Sequence, residues 1–142
     1  MVINFLIYDA KFAFSGEIMY LPKDASIPIR LKTKEFEVFT VVPVIEVNGV
    51  KCAPIGLMKM FNSGGAIKEL NCVSNNNGTT TSVVMKVRGC GLFGAYSSAQ
   101  PTTVTVDSEE VEFRYEEESG LVSIDLRVPE KELYQWNISI NY

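Results

Sequence analysis

An all-β fold, a single antiparallel β-sandwich carrying one short helical turn, follows from three features of this sequence. Apolar and polar residues alternate with period two in segment after segment, which sets one face of each on a core and the other in water. Turn dipeptides separate those segments at short intervals. No stretch of ten or more residues keeps helical periodicity. A chain of 142 residues suits one domain, and folding at that size buries roughly 70% of the unfolded surface. The expectation is one domain over residues 1–142, built from about eight to eleven strands.

The elements read in order as follows. "MVINFLIYDAK" has an apolar run interrupted by Asn4 and no basic lead, so it reads as a strand and not a signal peptide. In "SIPIRL", Ile27, Ile29 and Leu31 share a face, and in "EFEVFTVV", Phe36 and Val38 do so until Pro43 ends the run. Asn48-Gly49 between "VIEV" and "VKCA" is the type I′ hairpin pair, since both turn positions need positive φ. "APIGLMKMFNSGGAIKEL", residues 53–70, breaks the pattern. Leu57, Met60 and Phe61 fall at the spacing of a helical turn, which Gly64 and Gly65 then stop.

"SNNNGTTTS", residues 74–82, is a long polar tip ahead of the strand "SVVMKV". Asp107-Ser108 turns "TVTV" into "VEFRY", and Ser119-Gly120 turns that into "LVSIDL". There Val122, Ile124, Leu126 and Val128 alternate with polar residues. The last segment is the clearest. Tyr134, Trp136, Ile138, Ile140 and Tyr142 face one way, and Gln135, Asn137, Ser139 and Asn141 the other.

Composition narrows the function classes. A net charge of −4 argues against a nucleic-acid partner or an anionic membrane surface, and no apolar run approaches the roughly 20 residues of a membrane-spanning helix. The complete lack of histidine removes the commonest general base and the commonest metal ligand together. Cys52, Cys72 and Cys90 are odd in number and too far apart for a C-x-x-C motif, so they are expected to be free thiols, buried as small hydrophobes. The two Asn-x-Ser/Thr sequons at Asn77 and Asn137 carry no weight without a secretory route. A soluble cytoplasmic chain is the expectation.

The remaining motifs favour structure over chemistry. "GCGLFG", residues 89–94, matches G-x-G-x-x-G, but Pro101 and β-branched residues follow where a nucleotide-binding helix must begin. Its glycines are better placed to bend a strand. Glu109, Glu110, Glu112, Glu116, Glu117 and Glu118 fall on the polar face and tip of a hairpin, where solvation explains them. Of Tyr96, Tyr134, Trp136 and Tyr142, three lie on the apolar face of the last segment, which points to packing over a sugar-stacking platform. Ser97-Ser98 has no histidine or nearby lysine to activate it. No catalytic, cofactor-binding or metal-ligating set emerges.

"APIGLMKMFNSGGAI" resembles the P-I-G-L-x-x-M-x-N-S-G-G-A signature near the C-terminus of plant raffinose synthases and alkaline α-galactosidases, the seed imbibition proteins. "EFEVFTVVPV" upstream and residues 86–136 downstream match in the same order, so the similarity runs from about residue 17 to the end. Cys52 departs from it, standing where relatives usually place an aromatic. The resemblance implies a C-terminal β-sandwich that follows a TIM-like catalytic barrel, with the catalytic aspartates in the barrel and none in this chain. It implies an accessory domain in a protein that transfers galactose from galactinol to sucrose or hydrolyses α-galactosides, so the partners are the barrel and an α-galactoside oligosaccharide. A chain that starts at Met1, just before the sandwich, is expected to be a truncated product or gene model. The corner holding Ile55, Leu57, Met60, Phe61, Gly64 and Gly65, with Ile67 beside it, is then either a surface docked on the barrel or a cap on the sandwich's own core. Two rival functions, a stand-alone carbohydrate-binding module and a protein-interaction sandwich, are separated by whether Tyr96 and Trp136 show open ring faces.

Overall fold

The computed structural model describes residues 3–8, 18–21, 26, 28–36, 38–74, 81–128 and 134–142. Three strands come first: β1 (Ile3–Tyr8), β2 (Ile18–Leu21) and β3 (Val38–Pro43), which form a small sheet in the order β2-β1-β3. Next are β4 (Ile45–Val47), β5 (Val50–Leu57), a 3-10 turn (Ser63–Ala66), β6 (Ile67–Ser74) and β7 (Thr81–Arg88). β8 (Gly91–Ser97), β9 (Thr103–Val106), β10 (Glu109–Glu110) and β11 (Arg114–Glu116) follow, then β12 (Leu121–Leu126) and β13 (Gln135–Asn141).

Two five-stranded antiparallel sheets make the sandwich. A central sheet runs β11-β12-β8-β5-β4, and a flanking sheet runs β10-β9-β13-β7-β6. Their facing residues interlock into the main core: Cys52, Leu57, Phe93, Ala95, Val122, Ile124 and Leu126 from the central sheet meet Val83, Met85, Val87, Val104, Ile138 and Ile140 from the other. Chain order explains how one hairpin serves both sheets. β10 pairs with β9 and β11 with β12, so residues 111–113 cross between the layers, with Val111 and Phe113 packed on the core.

The small sheet differs from the expected antiparallel pattern, because β1 pairs in parallel with both β2 and β3. It lies over the outer face of the central sheet. Ile18 of β2 and Val42 of β3 form a second buried cluster with Ala53 and Ile55, bordered by Val44, Met58, Tyr96 and Leu121. The central sheet is therefore covered on both faces, and from Cys52 to Leu57 every residue of β5 is buried. A strand buried on both sides has no polar face to alternate with, so its sequence reads as an apolar run.

Hairpin chemistry held where the chain alternates. Asn48 and Gly49 have φ of 52° and 80°, and Asp107 and Ser108 have φ of 49° and 73°, both primed turns whose twist suits a two-residue loop. Alternation failed at its ends. "SIPIRL" is not a strand in its described part: Ile29 and Leu31 are exposed, Pro28 offers no N–H, and no neighbouring strand pairs there among the described residues. Phe36 precedes β3 and is 65% exposed, Val128 follows β12 and is exposed, and Tyr134 precedes β13 with φ of 34°. Thirteen strands stand among the described residues, above the eight to eleven expected, because the small sheet and two- and three-residue pairings add to the count. Asn75–Thr80 of the polar tip, with the Asn77 sequon, and Ile27 lie outside the described residues.

All three cysteines are free. Cys52 is buried as expected, whereas Cys90 is half-buried and Cys72 is exposed on β6, because an edge strand does not hide its whole inner face. Burial pushes the Cys52 thiol up from 9.0 to about 12. The half-buried Tyr142 phenol is pushed up too, first by burial and then by the charge of Cys52.

Two outcomes follow from this packing. Above pH 9 the unfolded chain releases the Cys52 proton that the folded chain keeps until about 12, so the folded state binds more protons and stability falls as pH rises. Melting temperature followed from about pH 8 to about pH 11 should decline more steeply in the wild type than in Cys52→Ala; parallel slopes would contradict the burial of the thiol. Gly56 has φ of +99°, and a Cβ there would sit 2.0 Å from the Ser63 carbonyl oxygen. Gly56→Ala should cost more than about 2 kcal/mol in denaturant unfolding, while Phe61→Ser, at a position 57% exposed, stays within about 0.5 kcal/mol.

Candidate functional site

The corner singled out by the sequence is built around the end of β5. A bulge between Pro54 and Gly56 shifts the register against β8, which sends Ile55 to the outer cluster and returns Leu57 to the main core. The Met58 N–H donates to the Leu92 carbonyl at 2.8 Å, and the Met60 N–H donates to the Leu57 carbonyl at 3.1 Å. These bonds turn the chain sharply and leave Met60 and Phe61 46% and 57% exposed. Asn62 then caps the 3-10 turn, its side-chain oxygen accepting from the Gly65 N–H at 3.1 Å. The Lys68 ammonium donates to the Gly65 carbonyl at 2.8 Å and closes the far end.

The turn is fastened to the sandwich through Ser63. Its side chain is fully buried, and its hydroxyl lies 3.2 Å from the Thr40 hydroxyl of β3. Its carbonyl presses on Gly56, where no side chain fits. The glycine that admits a close backbone is thus Gly56. A Cβ on Gly64 would make only an ordinary contact with the Ile55 carbonyl at 4.0 Å, and one on Gly65 would press on the Asn62 side chain and not on backbone.

The expected corner therefore divides. Ile55 and Leu57 are buried, on opposite faces of one strand. Leu57 ends that strand and belongs to no helical turn, and Gly64 and Gly65 lie inside the 3-10 turn instead of terminating one. Met60 and Phe61 remain a surface pair, and Ile67 packs partly against the main core. The three- and four-residue spacing that suggested a helix arose because the doubly covered strand has no alternation and meets a tight turn. Sequence reasoning missed Gly56, Asn62 and Ser63. An isolated glycine in a strand, two residues after Pro54, was the available signal.

The other sequence candidates are dispersed. "GCGLFG" runs straight into β8, with no helix after it, and the Gly89 carbonyl accepts the Trp136 indole N–H at 2.7 Å. Glu109, Glu110, Glu112 and Glu116–Glu118 are exposed. Glu110, Val111, Glu112 and Phe113 line an open concavity of about 520 Å³ at the crossover between sheets. No group of three or more Cys, Asp or Glu gathers in metal-binding range among the described residues. Tyr96 is half-buried over the outer cluster, while Trp136 and Tyr142 are half-buried on the main core in the other sheet. Those rings do not share a platform. Cys52, protonated up to about pH 12, is an inert thiol.

Comparison with known proteins gives this geometry its context. The family described as "Raffinose synthase or seed imbibition protein Sip1" matches residues 2–126. "Probable galactinol–sucrose galactosyltransferase 1" of Arabidopsis thaliana is 59% identical over 127 residues, covering 88% of this chain and 17% of the relative. "Probable galactinol–sucrose galactosyltransferase 6" of the same plant is 46% identical over 112 residues, covering 78% and 14%. "Stachyose synthase" of Pisum sativum is 38% identical over 94 residues, covering 66% and 10%. The chain spans about a sixth of the length of the first of these relatives. With its signature stretch folded into the bulged end of β5 and the capped 3-10 turn, the chain belongs to the raffinose synthase and seed imbibition protein family.

Proposed function

We propose that residues 1–142 act as an accessory, non-catalytic β-sandwich domain of a longer galactosyl-processing protein in raffinose-family oligosaccharide metabolism. The observation that carries this reading is the mismatch in length. A family match over residues 2–126 coincides with only 10–17% coverage of the three relatives described. The reaction of the whole protein is then galactose transfer from galactinol to sucrose, with α-galactoside hydrolysis as the sibling chemistry, in the cytoplasm and without a cofactor. Both chemistries need two carboxylates held about 5–9 Å apart across a glycosidic bond. The exposed glutamates of the β10–β11 crossover and the Glu116–Glu118 tip have no enclosing walls to hold a sugar between them. The upstream barrel supplies those groups.

Within that reading, Met60 and Phe61 are the part of the corner that meets the barrel. Asn62, Ser63 and Gly56 hold them on a rigid turn, so an interface pays little ordering entropy to use them. The half-buried settings of Tyr96 and Trp136 favour this over a stand-alone sugar-binding module, which needs open ring faces.

Turnover decides the point. The purified chain, offered a chromogenic α-galactoside or galactinol with sucrose from neutral to alkaline pH, is expected to give no product. Activity that co-purifies with the chain and vanishes on Glu110→Gln or Glu112→Gln would overturn the accessory role.

A further inference from the structure

The Asn48-Gly49 turn does more than join β4 to β5. The Asn48 side-chain amide donates one hydrogen bond to the Ser74 hydroxyl at 3.0 Å and another to the Thr81 hydroxyl at 2.9 Å. Ser74 ends β6, Thr81 begins β7, and the two are partners in register. A turn of the central sheet is thereby clasped to the flanking sheet, and the amide uses both of its donors on the clasp. Asn-Gly is also the dipeptide whose side-chain amide is most open to attack by the following backbone nitrogen, because glycine has no Cβ to stand in the way. Gly49 has nothing within 4 Å of where its Cβ would lie, and both turn residues are exposed to water.

We propose that Asn48 is a deamidation site that the clasp to Ser74 and Thr81 restrains in the folded chain. The Gly49 nitrogen bonds to the Asn48 Cγ, the Cγ–Nδ2 bond breaks, and ammonia leaves with the proton that Gly49 gives up. Water, the one co-reactant, then opens the succinimide at one carbonyl or the other and leaves aspartate or isoaspartate in the turn. The nitrogen that departs is the one both hydroxyls hold, so ring closure must first break the clasp. The product cannot restore it. A carboxylate has no proton to give, and an isoaspartate adds a backbone carbon to a turn whose φ of 52° and 80° suit a loop of two residues. Deamidation therefore frees the β4–β5 hairpin from the flanking sheet. The site lies at the opposite end of β5 from the Met60–Phe61 turn, and so stands or falls apart from the accessory-domain reading.

Peptide mapping by mass spectrometry, after incubation at mildly alkaline pH, tests it. A tryptic digest isolates Asn48 in residues 35–51, where it is the only side-chain amide, and separates it from the other Asn-Gly of the chain at Asn77. The wild type should deamidate at Asn48 far more slowly than the same chain unfolded in urea. Ser74→Ala and Thr81→Val, each with its melting transition intact, should deamidate there about five-fold faster than the wild type, the factor expected for one lost hydrogen bond of ordinary strength. Gly56→Ala, weakened at the far end of β5 without touching the clasp, should keep the wild-type rate. A folded Ser74→Ala or Thr81→Val chain that deamidates no faster than the wild type overturns the proposal. So does a wild type that matches the unfolded chain, or a Gly56→Ala chain that matches the clasp variants.

Discussion

Burial of β5 on both of its faces is the constraint from which the rest of the structure follows. Pro54 and Gly56 break the register just where the strand must serve two clusters, so Leu57 returns to the main core after Ile55 has filled the outer one. The Ser63 carbonyl closes down on Gly56 and seals the strand's end. Buried backbone needs partners, and here they come from β8 and from the Met58–Leu92 bond beyond the strand's end. Removing the small sheet would open Ala53 and Ile55 to water, so the two sheets of the sandwich and the third layer are one mechanical unit.

What the sequence made legible was whatever has one wet face. β12 and β13 alternate cleanly in sequence and in burial, and the Asn48-Gly49 turn was readable from two letters because its backbone demands them. The doubly covered stretch from Cys52 to Leu57 was not, since a strand without a polar face gives period-two reasoning nothing to hold. The helical spacing of Leu57, Met60 and Phe61 was a coincidence of that loss with the turn after it. The parallel sheet was equally hidden: β1 and β2 each look like any short apolar strand, and which neighbour each one takes is a tertiary decision. Edge effects account for the remaining differences. Cys72 has a core-facing register position and an exposed side chain, because sequence does not show how far the opposite sheet extends.

The candidate site was half legible for the same reason. The signature stretch, through its resemblance to raffinose synthases, pointed to the right family. Which side chains face out there depends on the bulge. A one-residue change of register exchanges the two faces of a strand, so Ile55 and Leu57, which the sequence left open between a docked surface and a core cap, are the most deeply buried members of the group. The glycine pair Gly64-Gly65 stood out in the sequence, yet the glycine of this corner that the backbone presses on is Gly56.

Native-state hydrogen exchange tests the central claim most directly, because amide protection reports how much of the fold must open to free each strand. The account predicts that the amides of Ala53, Ile55 and Leu57, with those of Phe93–Tyr96 across the ladder, exchange only through global unfolding. Amides of β6, at the open edge, should exchange through local opening at a far lower free energy. If the β5 and β8 amides exchange as readily as those of β6, the central sheet is not held from both sides, and the account is contradicted.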